Sequence, residues 1–460
     1  MVVYKTKGVS MKKTDVLVIG TSAAGLVAAT TAKSINPDKT VTAVKLPGKS
    51  MIPCGIPYIF GSVDTSDNNI LPAEAAFEKS GVDLMIGKAV EIDREKKICR
   101  FEDGSEMSYE KLIIGTGSVP NVPKWLKGSG LENVFTVPKD KAYLDAMQEK
   151  LKKFKKVVTI GAGFIGVELS DELTKAGMEV TLVEKLDHIL GLAFDEDIAL
   201  RAQEILASRG VKILTGSGVK EILGASKVEG VLLENGEKID ADAVVLSMGY
   251  RPNTELAEKA GITLNNMGFI KVDEYMRTED SNIFAVGDCA EKKDFVTRKT
   301  CGVMLASTAC AEARVAGMNL YKLSLVKTFS GTISIFSTAL GDDGFGVAGL
   351  TETCASREGF DYVTGSFEGI NRHPGKLPGA KKQMVKLIVA KDSGLILGGE
   401  VAGGLSTGEL TNAIGFIIQN RMDLNALLTS QIGTHPLLTA SPAAYPLVKA
   451  AEAVAKKMRG

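Results

Sequence analysis

Two glycine-rich turns in this 460-residue chain have the spacing that holds phosphate. In the first, the apolar run Val16 to Ile19 leads into GTSAAG, Gly20 to Gly25, and LVAATTAKS beyond it reads as a helix. A buried strand that feeds a helix through a tight turn leaves backbone N–H groups and the positive end of the helix dipole facing an anion. Gly20 permits the turn, Gly25 permits close helix–strand packing, and Ser22 stands where the middle glycine of G-x-G-x-x-G is usual. The second turn is more complete. KKVVTIGAGFIGVELSDELTKAGMEVTLVEK holds a strand, then Gly161, Gly163 and Gly166, a helix and a second strand, and reaches Glu184. A carboxylate there accepts from both ribose hydroxyls of a dinucleotide and repels a 2′-phosphate, so NADH is expected in preference to NADPH. At the matching place of the first copy, VTAVKLP puts Lys45. A lysine cannot accept from ribose hydroxyls, although it can meet a phosphate.

The elements around these turns belong to a large chain. Its length predicts about three units, and 45% hydrophobic residues are enough to bury a sizeable core. Lys plus Arg and Asp plus Glu number 55 each, so there is no electrostatic footprint for nucleic acid or an acidic membrane. No apolar run is long enough to span a bilayer, and MVVYKTKGVSMKK does not read as a secretory signal. A cytoplasmic protein with neither nucleic-acid nor membrane partners is expected. Three histidines leave little for a metal centre, and the six cysteines form no C-x-x-C pair, so neither a metal site nor a disulfide framework is expected. The charged stretch EKLKKFKK before the second turn reads as a solvated helix face and a boundary. From about Thr328 the texture changes. TFSGTISIFSTAL alternates, MVKLIVA and LILGGEVAGG read as adjacent strands, and LTNAIGFIIQNRM reads as a helix, which makes an α+β terminal domain. Within it, RHPGKLPGAKK is a basic loop suited to a phosphate-bearing substrate.

Taken together, GTSAAG, LIIGTGSVP (Leu112 to Pro120), GAGFIGVE and NIFAVGDCA (Asn282 to Ala290) resemble, in order, the motifs of the FAD-dependent pyridine nucleotide–disulfide oxidoreductases. The resemblance covers nearly the whole chain. It implies an α/β fold of two Rossmann-like dinucleotide-binding domains, for FAD and NAD, plus a C-terminal α+β dimerisation domain. The expected boundaries are 11–121 and 251–327 for the two parts of the FAD-binding domain, 122–250 for the inserted NAD-binding domain, and 328–460 for the dimerisation domain of a homodimer. FAD contacts are implied at Gly20, Ser22, Ala23, Ala24 and Gly25, at Pro53 and Val90, at Thr116 and Gly117, and at Gly287, Asp288 and Ala306. NAD contacts are implied at Gly161, Gly163, Phe164, Ile165, Gly166, Glu184 and Gly249.

The segment KSMIPCGIPYIFG resembles the S-x-x-x-C-G-x-P-Y motif of the family's single-cysteine branch: coenzyme A disulfide reductases, persulfide and polysulfide reductases, NADH oxidases and NADH peroxidases. Dithiol members carry a second cysteine where this chain has Ile59, so an internal redox disulfide is excluded at this place. The resemblance makes Cys54 the redox thiol beside the flavin. At a loop-to-helix junction, a helix N-terminus is expected to lower its pKa. The other five cysteines read as small buried hydrophobes. Peroxide- and oxygen-reducing relatives usually have a histidine where this chain has Ala23, and its absence removes a general acid for O–O cleavage. Near the C-terminus, Thr434-His435-Pro436 resembles a segment that the partner subunit brings to the flavin, with Ala440 in place of the family's glutamate. His435, Tyr445 and Tyr58 are the candidate proton donors, and Glu168 is the family's residue beside nicotinamide and flavin.

The function implied is NADH-dependent, FAD-mediated reduction of a sulfur–sulfur bond through Cys54. The substrate is expected to be a small molecule that arrives on a diffusible carrier: coenzyme A disulfide, coenzyme A persulfide or polysulfide. Coenzyme A is the leading carrier class, its phosphates meeting Arg372, Lys376, Lys381 and Lys382. The alternatives are an NADH oxidase that reduces dioxygen to peroxide or water, and, from another class, a flavoprotein reductase of an electron-carrier protein.

Overall fold

VLVI is apolar at every position because a parallel sheet covered on both faces, here by helices on one and largely by a small sheet on the other, buries each residue of its middle strand. In the computed structural model, which describes residues 11–323 and 329–459, Val16–Ile19 is that middle strand and is buried throughout. Five strands lie in the order Ile283–Ala285, Lys111–Ile114, Val16–Ile19, Val41–Lys45 and Asp83–Ile86, all parallel. A second five-stranded parallel sheet repeats the plan with Val134–Thr136, Ala243–Leu246, Lys156–Ile160, Glu179–Val183 and Lys212–Leu214. The expected α/β architecture with two Rossmann-like units is therefore present. The boundary expected at 327–328 lies outside the described residues.

The second sheet is inserted into the first. The chain leaves after Lys111–Ile114, builds the whole second sheet, and returns to add Ile283–Ala285 to the first. On the way out it forms Ser118–Pro120, which pairs antiparallel with Tyr250–Pro252 on the way back. Each unit also carries a small sheet of mainly antiparallel strands, built on Ala89–Asp93 in the first and on Val219–Leu223 in the second.

The first glycine turn is as tight as its sequence requires. Gly20 has φ +109°, and a Cβ there would lie 2.1 Å from Gly115 O. A Cβ on Gly25 would lie 1.8 Å from Gly20 O, so the helix Ala23–Ile35 can approach the strand only with glycine at that position.

The terminal unit is a five-stranded antiparallel sheet in the order Phe336–Leu340, Asp343–Gly349, Ile396–Ala402, Lys382–Ala390 and Tyr362–Ile370. The two apolar segments expected as adjacent strands do pair, with Val385 opposite Val401. Helix Thr407–Gln419 packs on the first half of the sheet and Pro446–Arg459 on the other. Among the described residues of TFSGTISIFSTAL, only the end becomes a strand of this sheet. Thr332, before it, bridges to Lys293 and Phe295 by backbone hydrogen bonds of 2.8 Å each. That tie holds the segment against the first unit.

A buried ionic cluster joins the terminal sheet to the inserted unit. Lys386 Nζ lies 2.8 Å from Asp195 and 2.9 Å from Glu400. Asp195 precedes helix Glu196–Ser208 and accepts from Glu352 N, Thr353 N and Thr353 Oγ1 at 2.7–2.9 Å. Its own N–H donates to Glu400 Oε1 at 2.8 Å.

Candidate functional site

Cys54 is held on a short turn whose backbone is fixed by the segment that follows it. Ile52 N donates to Asn69 O, and Asn69 Nδ2 donates back to Ile52 O, both at 3.0 Å. The thiol lies in a 3₁₀ turn, Pro53–Gly55, followed by a second, Pro57–Phe60. The second turn packs on helix Phe164–Lys175 of the inserted unit. Ser62 Oγ donates to Glu172 of that helix at 2.7 Å, and Lys175 Nζ donates to Ser62 Oγ at 2.7 Å.

The expected fall in the Cys54 pKa is not found, and the local geometry explains why. Three residues of 3₁₀ turn make no appreciable dipole. Cys54 reaches solvent but is walled by protein, and this partial desolvation, then the carboxylate of Glu168, raises its thiol pKa. Asp288 adds to the rise, and Lys139 opposes it. Four segments therefore act on one sulfur: the cysteine turn, the second glycine-motif helix, the GDCA turn and the loop before Lys141–Leu151.

Glu168 is itself unusual. Burial pushes its carboxyl up to about 7, against a 2.8 Å hydrogen bond donated by Thr338 Oγ1 and with further help from Glu172. Tyr58 is half-buried above the same helix, and burial followed by Glu168 raises its phenol pKa. Asp288 accepts from Ser118 Oγ at 2.7 Å and from Lys139 Nζ at 2.8 Å. Burial would raise its carboxyl, but Lys139 and these hydrogen bonds outweigh it and the net shift is downward. Behind Asp288, a buried pair clamps the turn: Gly287 N donates to Glu312 at 2.7 Å, and Lys292 Nζ donates to Gly287 O at 2.6 Å.

The donor set fits two dinucleotides. The helices Ala23–Ile35, Phe164–Lys175 and Ala306–Met318 each start without a side-chain cap or an acid in the first turn. By contrast, Asp140, Thr351 and Asp423 cap their helices. Uncapped N–H groups at the end of a buried strand are suited to a diphosphate. Space beyond Gly163 is open, with nothing within 4 Å of a built Cβ. Glu184 is oriented by Ala162 N at 2.6 Å and Leu186 N at 2.8 Å.

Residues 14–313 match the profile of the pyridine nucleotide-disulphide oxidoreductase family, and residues 335–444 match that family's dimerisation domain. The chain belongs to this family. It is 32% identical over 405 residues to the NAD(P)H coenzyme A polysulfide/persulfide reductase of Pyrococcus horikoshii, covering 86% of this chain and 88% of that protein. It is 31% identical over 422 residues to an NADH oxidase of Methanocaldococcus jannaschii, covering 89% and 92%. The solved NAD-dependent persulfide reductase from A. fulgidus superposes with a TM-score of 0.88 at 32% identity, covering 97% of this chain and 84% of that one. This pyridine nucleotide-disulphide oxidoreductase is thus an enzyme of a family whose cofactors are FAD and NAD(P)H.

Of the residues expected from sequence, Cys54, Tyr58, Glu168 and Asp288 come together. Gly20 to Gly25 and Gly161 to Gly166 form the two turns, and Pro53 opens the cysteine turn. Ala306 starts its helix, and Val90 is an exposed residue at a register shift in its strand. Thr116 and Gly117 are tied to Asn253: Thr116 Oγ1 donates to Asn253 O at 2.6 Å, and Asn253 N donates to Gly117 O at 2.9 Å. Gly249 O accepts from Asn121 N at 2.9 Å where the chain returns from the insertion. The Phe164 ring stacks on Phe336 at 5.2 Å and meets Phe194 edge-on, so it packs the inserted unit against the terminal sheet.

Within one chain, no hydrogen bond among the described residues links His435 or Tyr445 to Cys54. His435 is exposed, and its Nδ1 accepts from Leu437 N at 3.3 Å, a backbone partner in the absence of a carboxylate. Tyr445 packs against the core of the terminal unit. Sequence reasoning missed Lys139, Ser118 and Thr338. Ser118 lay inside the recognised LIIGTGSVP motif, whereas Lys139 and Thr338 carried no local signal.

The electrostatics predict a direction for the thiol. Glu168→Gln removes the negative charge that acts most strongly on the thiol, so the Cys54 pKa should fall. Iodoacetamide alkylation of Cys54 at pH 7.5 should then accelerate about two- to fivefold, read by mass spectrometry against time.

Proposed function

We propose that this oxidoreductase takes hydride from NADH and delivers two electrons, through FAD and Cys54, to a sulfur–sulfur bond of a small molecule. The carrying observation is the position of Cys54. It is a lone thiol on an exposed turn, under the charges of Asp288 from one nucleotide unit and Glu168 from the other. When bound, FAD would accept the hydride and pass the electron pair on to the sulfur at Cys54.

The chain's own residues handle the sulfur and the protons. The Cys54 thiolate attacks one sulfur of R–S–S–R′, forming a mixed disulfide and expelling R′S⁻, which takes a proton. Two electrons from NADH then break the mixed disulfide. The balance is NADH + H⁺ + R–S–S–R′ → NAD⁺ + RSH + R′SH, and a persulfide gives RSH and H₂S. Lys139 favours the thiolate. Glu168 is half-protonated near neutrality and is the proton source within the chain; Tyr58, with its raised pKa, keeps its proton and can only share it by hydrogen bonding.

A homodimer is part of this reading. The terminal unit leaves Leu405, Phe416, Leu437 and Leu438 exposed, and a second copy covering them would bring the partner's His435 and the partner's Tyr445 to the thiol. For coenzyme A as carrier, Lys381 and Lys382 already pair with Asp343 and Glu368. Arg372 and Lys376 are then the cations that meet its phosphates. A cytoplasmic location suits a thiol kept reduced, and no helix among the described residues is long and apolar enough to cross a membrane.

Anaerobic NADH oxidation with coenzyme A disulfide, coenzyme A persulfide or polysulfide, set beside oxygen uptake in air, tests the reading. Turnover confined to air would overturn it in favour of the NADH oxidase, the reading that the Methanocaldococcus jannaschii relative supports.

NADH is proposed over NADPH because Glu184 directly follows the strand Glu179–Val183 of the inserted sheet. Glu184→Ala should raise the KM for NADH about tenfold and narrow the preference over NADPH, with kcat little changed. Steady-state assays with both nucleotides check this.

A further inference from the structure

The two nucleotide turns correspond through equivalent hydrogen bonds. Gly20 N donates to Val44 O at 3.0 Å, and Gly161 N donates to Val183 O at 2.9 Å. Ile19 lies opposite Val44 in the first sheet, and Ile160 lies opposite Val183 in the second. The next residue is Lys45 in one and Glu184 in the other. Lys45 therefore occupies, by register, the position from which Glu184 would face a ribose.

The first site is not without an acid. The Lys45 side chain is only 7% exposed, and its Nζ is in close contact with Glu74 Oε1. Glu74 lies in the first turn of helix Ala73–Ser80, and its side chain is 47% exposed. Its Oε1 takes Lys45 and its own backbone N–H also meets the carboxylate, but the half-exposed group has further lone pairs to accept a hydroxyl from outside. A buried ammonium needs a charged partner, and a lysine with three donors can share one carboxylate with a hydroxyl. The pair together offers what a strand-end acid offers, an acceptor for one ribose hydroxyl, and adds a donor for the other.

We infer that in the first nucleotide site the adenosine ribose of FAD is bound by Glu74, held at the strand end by Lys45, in place of a single acid at that position. This rests on the reading that the first site takes FAD. The glutamate comes from an element 29 residues further along the chain, so the ribose contact also ties helix Ala73–Ser80 to the cofactor. Lys49 acts on Glu74 as well, and the ribose edge of this site is not negative, unlike that of Glu184.

The test is FAD and FMN binding to flavin-stripped protein, followed by flavin fluorescence. FMN lacks the adenosine and serves as the internal control. Glu74→Gln and Lys45→Met should each weaken FAD binding about ten- to hundredfold and leave FMN binding unchanged. The swap Lys45→Glu with Glu74→Lys returns an acid to the strand end and should bind FAD within about threefold of the parent. FAD affinity unchanged in both single variants would overturn the inference. Equal losses for FAD and FMN would also overturn it, because the pair would then only support the fold. Native protein that takes up no FAD would overturn the underlying reading of the site, a result distinct from either.

Discussion

Cys54→Ser should lose sulfur-dependent NADH turnover by about a thousandfold or more, while still binding FAD and still letting NADH bleach the flavin absorbance without air. The two halves of that result separate the steps. Hydride transfer depends on the nucleotide turns, and the serine leaves those untouched. Delivery to sulfur needs a nucleophile that a hydroxyl, with a far higher pKa, does not supply. No second cysteine stands at Ile59 to substitute. Mass spectrometry gives the same answer independently: the native protein treated with polysulfide gains mass on Cys54 and loses it on adding NADH, whereas the variant does neither. Undiminished sulfur turnover in Cys54→Ser would remove the thiol from the mechanism.

Lys386→Met should destabilise the protein by about 3–5 kcal/mol, the usual cost of leaving buried charge uncompensated. The change strands the charge of Asp195, and that of Glu400 wherever it is ionised, both residues being almost fully buried. Burial, then Asp195, already pushes the Glu400 carboxyl up to about 8 in the folded protein. Folding therefore favours its protonated form, and the unfolded chain releases that proton at ordinary carboxylate pH. Stability from this group is full on the acid side and is lost as pH rises through about 8. Asp195 is shifted the other way; burial opposes, but hydrogen bonds from Lys386 and Thr353 prevail. Its contribution is lost only at strongly acid pH. The variant's deficit should thus be larger at pH 8.5 than at pH 6, read as the fall in thermal midpoint at each pH. Adding Glu400→Gln to Lys386→Met should recover part of the loss. No recovery would show that packing, not charge, is what the lysine supplies.

Much of the fold was legible in the sequence because its signals are local. Glycine spacing and apolar runs placed both Rossmann-like turns, and MVKLIVA with LILGGEVAGG placed the heart of the terminal sheet. The site was legible only where its residues fall inside such runs. Cys54 was singled out by its motif, but the direction of its pKa shift was not legible, because a motif does not disclose that the turn is one short 3₁₀ segment facing two carboxylates. Lys139, Thr338 and Glu74 reach the site from distant elements, and single-sequence periodicity carries no information about such pairings. His435 and Tyr445 make no hydrogen bond to Cys54 among the described residues, and only the proposed homodimer would bring them to it.

The order of strands has a consequence for how the molecule is made. The inserted sheet contains all its strands by Leu246, whereas the sheet that surrounds it waits for Ile283–Ala285. As the chain leaves the ribosome, the inner layer can close while the outer one still lacks its last edge. The antiparallel ribbon of Ser118–Pro120 and Tyr250–Pro252 then brings the growing polypeptide back to the spot it left. Vectorial synthesis thus delivers the late strand to an unfinished sheet whose neck is already tied.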